Sequence, residues 1–170
     1  MKIQGREIKG RNIEVVVFRR PVLEDGSCGN IAFKAEAIPD YKEFDKMCPQ
    51  PEPPEILRPG GVRTSNLKDK RFLAALDIWA SKKTAYVVLK SLQATEGLEW
   101  ENVDMKNPET WSLYRKELTD SDFTDNEVAK IIEIVGIANS MDDGMLDAAR
   151  EDFLAEEARQ VKLDSQTAEV

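Results

Sequence analysis

Hydrophobic positions along this chain repeat every two residues near the N-terminus and every three or four further on. Ile13-Glu14-Val15-Val16-Val17-Phe18 is dense in β-branched and aromatic side chains, which suit a pleated, half-buried surface. Ile31, Phe33, Ala35 and Ala37 then alternate with Ala32, Lys34 and Glu36, the pattern of a strand with one wet face. Glu24–Asn30 lies between them and supplies the glycines of a reversal, so an antiparallel pair is predicted. A third strand over Lys2–Lys9, turning at Gly10, would extend it. A lone hairpin is marginal in water, so this unit must pack on the rest of the chain or pair with another chain.

The period changes after Pro39-Asp40. Tyr41, Phe44, Met47 and Cys48 give a short helix one apolar face. Pro49-Gln50-Pro51-Glu52-Pro53-Pro54 and Pro59-Gly60-Gly61 remove backbone donors and favour extended geometry, predicting a connector over 49–61. Its flanks lack the basic and aromatic anchors of an SH3-type ligand, so it reads as a spacer. Asp69 to about Gln93 is the longest periodic segment, a helix of roughly 35 Å. Phe72, Leu76, Trp79, Tyr86 and Val87 fall near one face, Lys82 and Lys83 lie opposite, and Gly97 stands beyond the end. Leu98–Asp104 fits either an extended element or a loop docked on that helix.

Asn107-Pro108-Glu109 has the composition of a helix start, followed by Trp111, Tyr114 and Leu118. Thr124 and Glu127 are spaced as a capping box, and Phe123 and Val128 as a hydrophobic staple. The helix they open carries Val128, Ile131, Ile132 and Val135 on one stripe. Ser140 is placed to cap a last helix with Met145, Leu146, Ala149 and Phe153 or Leu154 on its apolar face. The expected organisation is an N-terminal β unit with a short helix over 1–48, the connector over 49–61, a helical domain over 62–161 and a disordered tail over 162–170. The fold class is α+β and predominantly helical, a small antiparallel β unit followed by a helical bundle.

Composition narrows the chemistry. Of 170 residues, 41% are hydrophobic and 33% charged, enough for a core. Apolar runs such as Val15–Phe18 and Tyr86–Leu89 fall far short of the ~18 residues a membrane span needs. The opening MKIQGREIKGR has no apolar stretch behind it, so a soluble, intracellular protein is expected. There is no histidine, which excludes Ser-His-Asp and Cys-His relays and any His-containing zinc site. Cys28 and Cys48 form no CxxC, and Cys48 reads as a small core residue. Asp120, Asp122, Asp125 and Glu127 fail as a calcium loop, because position 6 is Asp125 where glycine is required and position 12 is Ile131. Gly60-Gly61 lacks the Lys-Ser/Thr of a phosphate loop. No catalytic residue, metal or cofactor is expected.

The net charge of −8 is unevenly spread. Residues 94–170 hold twenty Asp/Glu against seven Lys/Arg, which would repel phosphate backbones and makes nucleic acid a poor partner. Residues 1–20 and 62–93 are basic, a polarity that would suit self-association into a homo-oligomer. The information in this chain therefore lies in surfaces. Trp100, Val103, Trp111 and Tyr114 concentrate aromatic and apolar area around an irregular connection. They form the candidate partner-binding groove, with core packing as the competing role.

The order of parts resembles the tail assembly chaperones of long-tailed bacteriophages. The likeness runs through PDYKEFDKMCPQPEPP, then AYVVLKSL, LEWENVDMKNPETW and FTDNEVAKIIEIVGIANSMDDGMLDAAREDFL, over roughly residues 13–155. It implies a non-enzymatic protein of the host cell cytoplasm. Such a protein holds the phage tape-measure protein soluble and helps recruit the tail-tube protein. Members are often also made in a longer, frameshifted form. The competing expectation is a structural virion component of the tail or head-tail region.

Overall fold

The computed structural model describes residues 2–3, 5–7, 9–21, 28–57 and 59–140, with Gly144 and Glu151. The apolar face expected at Met145, Leu146, Ala149 and Phe153 or Leu154, and the tail 162–170, lie outside the described residues.

The main hairpin pairs β3 (Ile13–Pro21) with β4 (Cys28–Glu36). Its register sets Val16 opposite Phe33 and Phe18 opposite Ile31 on the inner face, and Val15 opposite Lys34 and Val17 opposite Ala32 on the outer. The segment before it does not add a third strand. β1 (Lys2–Ile3) and β2 (Arg6–Glu7) pair with each other, because Gly5 takes φ +75° and folds the chain back on itself. Helix α1 (Lys42–Met47) follows as expected, burying Phe44.

The expected connector carries β5 (Glu55–Leu57), which forms a third hairpin with β6 (Arg63–Ser65), just inside the expected helical domain. Gly60 and Gly61, both at positive φ, make the reversal, and the Asn66 amide closes the base by donating to the Pro54 carbonyl at 2.8 Å. Helix α2 (Lys70–Leu92) starts where expected, the Asp69 carboxylate accepting from the Arg71 and Phe72 amides. Its burial is not a stripe. Ala85–Leu89, Ser91 and Leu92 are buried on every side, while the first half is largely exposed.

Residues 98–110 form a loop with turns. Asn107 does not open a helix: its side chain and carbonyl accept from the Glu109 and Thr110 amides in a turn. A 3₁₀ turn at Trp111–Leu113 comes first, and α3 (Tyr114–Asp120) follows without a side-chain cap. The delay has a cause in the indole, whose Nε1 donates back to the Asp104 carbonyl at 3.1 Å and ties the turn to the loop. Helix α4 (Asp125–Ala138) has the reciprocal Thr124–Glu127 capping box. It buries Val128, Ile131 and Val135 as expected, and Ile134 and Ala138, rather than Ile132, complete the buried set. Ser140 closes the turn after α4 at φ +53°.

The fold is mixed α and β, with a single apolar core shared among elements. Phe33 and Ala35 of β4, Phe44 of α1, the second half of α2, Trp111, Leu118 and the α4 stripe are one cluster. Helix α4 packs on both strands of the main hairpin, and α2 on β4 and α4. A helical bundle set apart from the β unit is therefore not seen among the described residues. Among these residues, no helix is long and apolar enough to cross a membrane.

Candidate functional site

The four residues singled out for partner binding divide by burial. Trp111 is 0% exposed, with its ring 5.3 Å from Tyr86 and 6.1 Å from Phe44. Tyr114 is also buried, whereas Trp100 and Val103 are half-buried at the margin of the core. Trp111 and Tyr114 are thus core residues, and of the four only Trp100 and Val103 offer surface.

Polar groups around the aromatic cluster are paired. The Tyr86 hydroxyl donates to Glu43 Oε2 at 3.2 Å, and Lys90 Nζ reaches the same oxygen at 2.8 Å. Burial, reinforced by the Glu43 charge, pushes the Tyr86 phenol up to about 12. The Lys90 hydrogen bond holds the Glu43 carboxyl below its ordinary range. Trp79 donates Nε1 to the Cys48 carbonyl at 3.0 Å, and burial raises the Cys48 thiol, the opposite of what a nucleophile needs.

Trp100 borders a cleft of about 340 Å³ whose walls include Phe33, Phe123, Glu101, Glu117 and Asp120. Glu117 is committed to the fold, its carboxylate accepting from the backbone amides of Glu101 and Asn102. On the floor, Phe33 and Phe123 meet edge to face at 5.4 Å. Arg20 lies over Phe123 at 4.6 Å and pairs with Glu127. The cleft is thus walled by carboxylates and aromatic rings. Among the described residues, no three Cys, Asp or Glu side chains are grouped to hold a metal ion.

A second surface was not singled out from the sequence. The exposed half of α2 and the β5–β6 hairpin present Leu57 (71% exposed), Val62, Leu67, Leu73 and Ile78 (59%). Lys68, Lys70 and Arg71 are exposed beside them. On the flank of α2 runs an apolar groove of about 300 Å³ lined by Ile78, Ser81, Ala85, Pro108 and Ser112. The Lys82–Glu109 ion pair, at 2.5 Å, bridges its rim. The available signal was Ile78, which falls outside the expected stripe, together with the apolar residues on both sides of Gly60-Gly61.

No protein-family model matches this chain, and neither do the curated proteins or the solved structures with which it was compared.

Proposed function

We propose that this chain is a non-enzymatic tail assembly chaperone that keeps a helical client, the phage tape-measure protein, soluble and assists assembly of the tail tube. The observation that carries the reading is the apolar surface of the β5–β6 hairpin and the first half of α2, next to the groove at Ile78. Amphipathic helices lay their apolar faces into grooves of this kind. The order of parts shared with phage tail assembly chaperones, and the absence of histidine, support the same conclusion. Trp100 and Val103, half-buried at the margin of the core, act as a second contact.

The test is co-expression with the tape-measure protein of the same genome, followed by pull-down and size-exclusion chromatography with light scattering. A soluble stoichiometric complex is expected, abolished by Leu73→Asp with Ile78→Asp and weakened by Trp100→Ala. A client that stays insoluble while this chain travels with purified particles would replace the chaperone by a structural virion component.

A further inference from the structure

The two edges of the main hairpin are not equivalent. On β4, the Thr95 hydroxyl accepts from the Lys34 amide at 2.9 Å and donates to the Lys34 carbonyl at 2.9 Å. Both backbone groups of Lys34 therefore point away from β3, which makes Val15 and Lys34 a non-hydrogen-bonded pair. The Ala37 amide donates to the Asn12 carbonyl, three positions along, as the same alternation requires. It follows that the amides and carbonyls of Ile13, Val15, Val17 and Arg19 all point outward from the free edge of β3. Among the described residues, none of these backbone groups has a partner. Thr95 thus caps the β4 edge at Lys34, while among the described residues no side chain caps the β3 edge in this way, which leaves it a template for a further strand.

The side chains on this open edge are apolar and wet. Ile13 is 54% exposed, Val15 49% and Val17 55%. They lie on the outer face, opposite the side on which α4 packs against Val16 and Phe18.

We propose that this edge pairs with the same edge of a second copy, antiparallel β3 against β3 about a two-fold axis, giving a four-stranded sheet. The outward groups of β3 must bond to outward groups, which permits only every second register. Full overlap of the nine-residue strand is one of the permitted registers, and it places Val17 on the axis, opposite itself. Val15 then faces Arg19 of the second copy, and Glu14 faces its Arg20, twice by symmetry. Among the described residues Glu14 has no ion-pair partner, and Arg20, whose Nη2 pairs with Glu127, keeps a buried Nε without a hydrogen-bond partner. Sliding the pairing by two residues towards the N-terminus sets Arg11 opposite Pro21 and Glu14 opposite Phe18, and so loses both Glu14–Arg20 pairs. Charge complementarity and strand length thus select the same arrangement. Pro21, which has no amide to offer, ends the edge. One added strand pair is a small interface, so a dissociation constant in the micromolar range is expected.

The test uses the full chain alone, without client, so its result is independent of the chaperone reading. Light scattering at low salt and about 100 μM protein should give twice the 19.2 kDa chain mass. Val17→Lys and Val17→Glu, at an exposed side chain, should each give monomers, because each charge meets its own copy on the axis. An equimolar mixture of the two should recover the dimer mass as a heterodimer. Val17→Pro, which removes an outward amide but no β3–β4 hydrogen bond, should also be monomeric; circular dichroism checks that each variant is folded. The proposal is overturned by a monomeric wild type, which would return the edge to a strand from another protein. It is equally overturned if both charged variants keep the dimer mass, or if their mixture stays monomeric.

Discussion

Replacing Trp111 by alanine separates a core role from a contact role more sharply than any other substitution here. The side chain is wholly buried and makes ring contacts with Tyr86 at 5.3 Å and Phe44 at 6.1 Å. Removing a buried aromatic of this kind costs about 3–5 kcal/mol through lost transfer energy and the cavity left behind. Loss of the Nε1 hydrogen bond adds about 1 kcal/mol, since the Asp104 carbonyl must find water. That total is a large fraction of an ordinary domain's stability of about 5–15 kcal/mol. A fall in Tm on the order of 10 °C is expected. Urea unfolding followed by far-ultraviolet circular dichroism measures it without relying on the deleted fluorophore. Trp111→Phe isolates the hydrogen bond, because it retains much of the ring contact with Phe44 and Tyr86, and should cost clearly less. Trp100→Ala, at a half-exposed site, should cost less than half of what Trp111→Ala costs. A Trp111→Ala loss below about 1 kcal/mol at unchanged denaturant dependence would refute the packing argument.

Three further outcomes follow from named contacts. Thr124→Ala removes the acceptor for the Glu127 amide and one half of the capping box, and should lower stability by about 1 kcal/mol in the same urea assay. Asn139 accepts from the Ile38 amide at 2.9 Å and donates to Ser91 Oγ and the Val135 carbonyl, both at 2.8 Å; Asn139→Ala should cost about 2 kcal/mol by orphaning buried groups, seen as a lower urea midpoint. The Tyr86 phenol, raised to about 12 from an ordinary 10, favours the protonated native state. Its contribution is complete below pH 10 and lost as pH rises towards 12. Ultraviolet titration should therefore show a tyrosine ionising near pH 12 that Tyr86→Phe removes, and the same variant should make stability less steep over that alkaline range.

What could be read in the sequence depended on how local each determinant is. The Thr124–Glu127 box spans four residues and its reciprocal hydrogen bonds are local, so spacing alone identified it. The Asp69 start of α2 is similar, because its carboxylate serves amides two and three residues on. The Asn107-Pro108-Glu109 start has equally good composition and failed, because Trp111 reaches back to Asp104 and holds the chain in turns. The β5–β6 strands are three residues each and largely exposed, so no period distinguishes them from the prolines around them. The one-sided reading of α2 failed for a different reason. Within AYVVLKSL nearly every position is apolar or small, so the segment can be enclosed on all sides, which β4, α4 and the Trp111 turn do together.

The outer valines of β3 show how a face becomes legible only through its partner. Val15-Val16-Val17-Phe18 is apolar without a break, so β3 by itself does not say which side is wet. The alternation lies in β4, where Phe33 and Ala35 are buried while Ala32 is exposed and Lys34 only partly covered. Register transmits that contrast across the hairpin, because opposite residues share a face: Val16 follows Phe33 inward and Val15 follows Lys34 outward. A strand needing only one dry face has no use for Ile13, Val15 and Val17 on the other. They stand exposed beside the outward amides and carbonyls of β3, which have no partner among the described residues, so hydrogen-bonding capacity and apolar area lie on one line. An adjoining strand uses both at once, since its backbone meets the edge and its side chains lie beside the valines.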